Sequence, residues 1–269
     1  MASRPRIELV ADTDRPGGYL LLMDDVRQSY VDLADPTYLD FEYVQYLASV
    51  LESWRGGPLA VTHIGGGGLT LPRYLHEVRP GSSQIVLEPD TELTELIRRE
   101  LPLPRHHRIR IRPVDGRAGL AALGDASADL VILDAYADGR VPAPLATAEF
   151  FAEVARVLRP DGLLLANLVD DPGFGYLRRV LAGLAPSLRE LALVSSTDVL
   201  RGRRFGNVVV AASRRPLDID ELRRRLARQP FPVGVRTGTA LAAVYGSAEP
   251  YTDDDPAESP EPVRGWRIR

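Results

Sequence analysis

The chain has 269 residues, 45% hydrophobic and 26% charged, with a formal net charge of -4, which suits one large domain or one domain with a small appendage. It contains no cysteine and no lysine, which excludes disulfides, zinc-thiolate sites, cysteine nucleophiles, Schiff-base chemistry and a Walker lysine. No apolar stretch approaches the roughly 20 residues that span a bilayer, "MASRPRIELVADTD" lacks a signal-peptide core, and no basic block offers a nucleic-acid surface, so a cytoplasmic protein with a small, cationic ligand is expected.

In chain order, residues 6 to 33 predict short strands: "RIELVAD", a "DRPGG" turn, "YLLLMD" and "VRQSYVDL". This is a β-meander, and an N-terminal unit over 1–35 is expected. Phe41, Val44, Leu47, Ala48 and Leu51 then fall at helical spacing until "RGGP" stops the run. From Pro58 strands and helices alternate. The strands are "LAVTHIG", "SQIVLE", "RIRIRPV", "ADLVILD", "GLLLANLV", "ELALVSS" and "GNVVVAAS". The helices are "LPRYLHEV", "DTELTELIRREL", "RAGLAALG", "TAEFFAEVARVL", "GYLRRVLAGLA" and "DIDELRRRLARQ". Near-continuous apolar strands separated by amphipathic helices predict a parallel sheet covered on both faces, over 36–248, with its ligand at the carboxyl ends of the strands. Residues 249–269, polar, acidic and proline-rich, predict a mobile or loosely docked tail.

The first strand of that sheet runs into Gly65, Gly66, Gly67 and Gly68. Glycine there permits a tight turn and close approach of a ligand to the main chain. Glu88 stands 23 residues after Gly65, at the end of the second strand, where a carboxylate can accept hydrogen bonds from both hydroxyls of a ribose. Together these features predict an adenosine-type ligand. Thr70 occupies the place of the third glycine of a dinucleotide fingerprint, which disfavours NAD. The same residues also suit a plain strand-to-helix turn followed by a capping acid.

Asp115 ends the third strand, where it can bond an adenine amine or cap the "GRAGLAAL" helix. Asp134 ends the fourth and opens a long loop, with no helix before about Thr147. His63, His76, His106 and His107 are scattered without metal-ligand spacing, so no metal site is expected. Ser195 and Ser196 have no recognisable base, and "RRRLARQ" reads as the solvated face of a helix.

The succession "LLLMDDVRQS", "IGGGG", "IVLEPD", "VDGR", "DLVILDAYADGRVPAPLATAEFF", "VLRPDGLLLANL" and "FGNVVVAAS" resembles the spermidine synthases, the polyamine aminopropyltransferases, over roughly residues 18 to 215. The glycine run and strand-end acids are common to all class I methyltransferases that use S-adenosylmethionine. The strand leader with Gln28 and the Asp134 loop are more specific.

The resemblance implies an α/β fold, a Rossmann-like, methyltransferase-type sheet of seven strands with a small N-terminal β-domain, and a homodimer or larger oligomer formed through that domain. It further implies transfer of the aminopropyl group of decarboxylated S-adenosylmethionine to a polyamine. By resemblance, Gln28, Gly65, Gly66, Gly67 and the Asp115–Gly116 turn contact the nucleoside, Glu88 its ribose and Asp134 the attacking amine. Tyr136 and Asp138 lie where acceptor contacts are expected, and Asp138 or Glu42 is the second carboxylate for a distal ammonium. Three departures stand out: Gly68 replaces the acid that follows the family's glycines, "DFE" replaces Tyr-His-Glu, and the Asp134 loop motif is one residue longer. A methyltransferase using intact S-adenosylmethionine is the alternative enzyme, and a nucleoside-binding protein without catalysis is the third reading.

Overall fold

A computed structural model describes residues 6–262 of the chain. The N-terminal meander forms β1 (Ile7–Ala11), β2 (Gly18–Met23) and β3 (Val26–Asp32), an antiparallel three-stranded sheet. Helix α1 (Glu42–Ser53) follows, buried at every position from Tyr43 to Leu51 except Gln45. The parallel core is then laid down as β4 (Ala60–Ile64), α2 (Thr70–Val78), β5 (Ser83–Leu87), α3 (Thr91–Glu100), β6 (Ile109–Arg112), α4 (Gly116–Ala121) and β7 (Ala128–Leu133). A single 3-10 turn, Ala143–Leu145, interrupts the loop before α5 (Ala148–Val157). The chain continues through β8 (Leu158–Asp170), α6 (Gly175–Leu184), β9 (Glu190–Ser196), α7 (Thr197–Leu200), β10 (Gly206–Ser213), α8 (Ile219–Leu226), β11 (Val233–Thr237) and α9 (Gly238–Tyr245).

The second sheet has the order β11-β9-β10-β8-β7-β4-β5-β6. It is the Rossmann-like, methyltransferase-type sheet the sequence predicts, with two corrections. First, it has eight strands rather than seven, because "VGVRT" adds β11 at the edge beside β9. Second, it is mixed. β10 lies antiparallel to both β8 and β9, and β11 antiparallel to β9. The reason is the linker at 197–205, shorter than the dozen or more residues that a parallel crossover requires. A consequence follows for the site: the first residues of β10 lie at the same sheet edge as the carboxyl ends of β7 and β8.

Apolar side chains fill both faces. One core joins α4, α5 and α6 to β7, β8 and β10 through Phe150, Phe151, Leu177 and Val210; the other joins α1 and α8 through Leu47, Leu51, Leu165 and Val209. The small sheet shares a third core with the large one, in which Leu21 and Val31 meet Leu69, Val86 and Ile97. It is therefore anchored to the glycine turn, where Gly68 N donates to Ser29 Oγ (3.1 Å) and Thr70 Oγ1 to the Tyr30 carbonyl (2.8 Å).

The expected loose tail is docked through residue 262; residues 263–269 lie outside the described residues. The Ala148 amide donates to the Tyr251 carbonyl (2.8 Å), and Thr147 Oγ1 donates to Asp253 (2.7 Å), which Arg117 also pairs. Arg179 pairs Asp255, and Arg140 pairs both Glu258 and Glu261. Ser259, buried, accepts from the Val141 amide at 2.9 Å. Asp253, Asp255, Glu258 and Glu261 are thus the counter-charges of arginines on the body.

Candidate active site

A cavity of about 840 Å³ opens at the carboxyl ends of the parallel strands, between the two sheets. Gln28, Gly65, Gly66, Gly67, Glu88, Asp115, Gly116, Asp134, Tyr136 and Asp138 all line it. Glu42 does not. Its carboxylate accepts instead from the Tyr46 hydroxyl one helical turn along α1 (3.3 Å), and Asp40, Phe41, Tyr43 and Val44 form that part of the wall.

Each glycine has its own physical reason. Gly65 has φ +95°, a conformation that side chains rarely adopt, and a β-carbon there would collide with the carbonyl of Asp134. A β-carbon at Gly68 would sit 2.9 Å from Val31 and 3.0 Å from Ser29, so its bareness answers to the small sheet. Gly116 lets α4 start hard against Ile64. The glycine run therefore serves strand packing and the Asp134 loop as well as any ligand.

The two strand-end acids also hold the backbone. Glu88 accepts from the Gly66 amide at 2.8 Å and the Asp90 amide at 3.0 Å, tying the glycine turn to the end of β5. The helix cap there is Asp90, which accepts from the Leu93 amide (2.9 Å). Asp115 caps α4 by accepting from the Ala118 amide at 2.9 Å, so the capping explanation is realised, and the same residue lines the cavity.

Asp134 is set in a network of polar side chains. It follows β7 as Asn167 continues β8, one step beyond the pairing of Leu133 with Ala166. Asn167 Nδ2 donates to Asp134 Oδ1 (2.9 Å), and Asn207 Nδ2 donates to Asn167 Oδ1 (3.0 Å). On the other side the Tyr43 hydroxyl meets Asp134 Oδ2 at 3.4 Å. Burial pushes the Asp134 carboxyl up to about 6, against the lowering effect of the Asn167 and Tyr43 hydrogen bonds. Burial, and then the Asp134 charge, push the Tyr43 and Tyr136 phenols well above their usual range, so both remain protonated donors. Tyr136 donates to the Asn167 carbonyl at 3.1 Å.

Tyr43, Asn167 and Asn207 are the residues that sequence reasoning missed. A signal existed for two of them. Single asparagines in "LLLANL" and "GNVVVAAS" are costly to bury unless partnered, and such cost marks a polar network. His63, by contrast, is a core residue: burial lowers it to about 4, and it meets Gln84 Oε1 at 2.8 Å.

The wall is strongly acidic. Asp24 and Asp40 line it from the N-terminal region, Glu88 and Asp90 from the end of β5, and Asp115, Asp134 and Asp138 from the opposite side. Among the described lining residues the one guanidinium is Arg117, committed to Asp253, Thr147 and the Pro144 carbonyl.

No protein-family model matches the chain. It is similar to the crystal structure of a probable spermidine synthase from Corynebacterium glutamicum, at 30% identity over 93% of each chain and a TM-score of 0.87. At the level of fold it is similar to a spermidine synthase in complex with the transition-state analogue AdoDATO, at 18% identity over 91% of this chain and 82% of that one, with a TM-score of 0.59. A polyamine aminopropyltransferase of Vibrio vulnificus is 31% identical over 130 residues, 47% of this chain and 43% of its own length. The chain thus spans about half the length of the curated relatives it matches.

Proposed function

This chain belongs to the spermidine synthase family, and from that premise we propose that it moves the aminopropyl group of decarboxylated S-adenosylmethionine to a polyamine. The observation that carries this reading is the wall around Asp134, rich in carboxylates and without an uncommitted cation among its described residues. Both the aminopropyl group and a polyamine bring ammonium groups, which such a wall attracts. The carboxylate of intact S-adenosylmethionine would face repulsion there.

In this reading the acceptor nitrogen, neutral at the moment of attack, displaces the sulfonium sulfur from the aminopropyl carbon bonded to it. The carbon–nitrogen bond forms as the carbon–sulfur bond breaks, and its electron pair leaves as neutral methylthioadenosine. The proton shed by the new ammonium passes to Asp134. A base poised near the working pH suits that step, and general-base assistance contributes roughly 10² to 10⁴ in rate. Gln28, the glycine turn, Glu88 and the Asp115–Gly116 turn hold the nucleoside; Tyr136 and Asp138 hold the acceptor. The same reading takes the protein to be cytoplasmic and dimeric through its N-terminal sheet.

Calorimetric titration with the decarboxylated and the intact cofactor tests it. The decarboxylated form should bind at least tenfold more tightly, and a diamine should then yield methylthioadenosine. Preference for the intact form would instead identify a methyltransferase, the outcome that the absent acid at Gly68 favours.

A further inference from the structure

We propose that Asn207 is a positioning residue for the transfer reaction: its amide N–H occupies Asn167 Oδ1, and this fixes the Asn167 amide with its NH2 group turned toward Asp134. The three side chains form a hydrogen-bonded chain, Asn207 Nδ2 to Asn167 Oδ1 at 3.0 Å and Asn167 Nδ2 to Asp134 Oδ1 at 2.9 Å.

A side-chain amide has a donor end and an acceptor end, and Asn167 is almost fully buried, without solvent to satisfy either. With its NH2 toward Asp134 it stabilises the carboxylate. Turned over, it presents a carbonyl, which tolerates only the protonated acid. Asn207 selects the first arrangement because its N–H needs the Asn167 oxygen. It reaches that place because β10 runs antiparallel to β8, pairing Asn207 with Val169 and Val209 with Asn167. Its own backbone carbonyl is held by Ser195 Oγ, and its side chain also meets the Tyr136 hydroxyl.

Few other groups act on Asp134. Tyr43 approaches from α1 and Tyr136 from the loop itself, and Tyr176 of α6 acts on the Tyr136 phenol. Asp40, His63, Glu88, Asp115, Arg117 and Asp138 line the same cavity. Burial works against the ionised carboxylate, and the Asn167 hydrogen bond, ahead of that from Tyr43, is the main opposing influence.

The inference rests on the proposed reaction, so the test separates the two. Asn207→Leu keeps the shape and removes the donor. The Asp134 carboxyl, assigned by its disappearance in Asp134→Asn, is titrated by ¹³C NMR in both proteins, a readout that needs no turnover. The carboxyl should titrate about one pH unit higher in Asn207→Leu. Turnover should fall about threefold at pH 6.5 and approach a tenfold fall near pH 5, yet recover to within about twofold at pH 9, whereas a merely structural defect would lower it equally at every pH. In an Asn167→Leu background, Asn207→Leu should add no further shift.

If Asn207→Leu does not fold, the isosteric Asn207→Asp is titrated instead. Its carboxylate accepts from the Asn167 NH2, turns the amide over and must also move the Asp134 titration upward. An unmoved titration in a folded variant overturns the proposal. A moved titration in a protein without aminopropyl transfer upholds the positioning role and overturns the reaction.

Discussion

The α-carbon of Gly65 lies against the carbonyl oxygen of Asp134, so closely that no β-carbon fits between the end of β4 and the start of the loop after β7. The neighbouring Asp134 amide donates to the Ile64 carbonyl at 2.9 Å, which fixes the distance. The glycine turn and the proposed base are therefore one rigid unit, and the arrangement predicts how both respond to substitution.

Gly65→Ala combines a positive φ with a backbone collision and should cost at least about 2 kcal/mol, read by urea unfolding. Gly124→Ala, at a position with open space around it, is the matched control and should leave stability nearly unchanged. Equal behaviour of the two variants would contradict the geometry.

Gly68→Asp restores the acid that the family carries after its glycines. The new side chain meets Val31 and Ser29, so the variant should lose about 1 to 3 kcal/mol and loosen the small sheet. Hydrogen exchange over β3 should accelerate. A stable variant with an undisturbed small sheet would mean that the packing there yields more readily than its contacts imply.

Asp134→Asn should abolish transfer, with cofactor binding nearly intact. Its effect on stability has a definite sign. The folded carboxyl titrates near 6 rather than at its ordinary 3.8, so the folded protein binds the proton more tightly. Stability that is present in acid is therefore lost as pH rises from about 4 to 6. Asparagine does not ionise, so the variant should be more stable than the parent by roughly 2 kcal/mol at pH 8, with the gap closing below pH 4. Melting temperatures across this range check it, and transfer by the unaltered protein should rise through pH 6.

Glu88→Ala removes the acceptor for the Gly66 and Asp90 amides as well as the proposed ribose partner. Cofactor affinity should fall by about 1.5 to 3 kcal/mol by calorimetry. Unchanged affinity would confine Glu88 to a structural role.

Ser259→Ala deletes the buried partner of the Val141 amide and should cost about 1 to 2 kcal/mol. The exposed Arg140 pairs with Glu258 and Glu261 contribute little, and Glu258→Gln with Glu261→Gln should be nearly silent. Exchange over residues 135–145 should speed up only in Ser259→Ala.

Much of this molecule was legible in its sequence. The meander, the helices from α1 to α8 except the four-residue α7, and the run of strands from β4 to β10 all follow from apolar periodicity and from Gly, Pro and Asp at the boundaries. The glycine turn and the acids Glu88, Asp115 and Asp134 follow from where strands end. What escaped was long-range. A parallel reading of β10 sends Asn207 to the wrong edge of the sheet, and only the short 197–205 linker argues otherwise. Tyr43 sits in a helix whose core face is already accounted for by Phe41, Val44 and Leu47. The docked tail escaped because its partners, Arg117, Arg140 and Arg179, stand far earlier in the chain and carry no local mark.

The strap that holds the Asp134 loop has a consequence in time as well as in space. Val141 and Ser259 are 118 positions apart and Thr147 and Asp253 are 106 apart. Synthesis delivers the loop first and its fastening more than a hundred residues later. A nascent chain can form the parallel core, yet its cavity stays without one edge until residue 259 has emerged. The cavity is thus completed only after residue 259 has emerged, well behind the parallel core on which it rests.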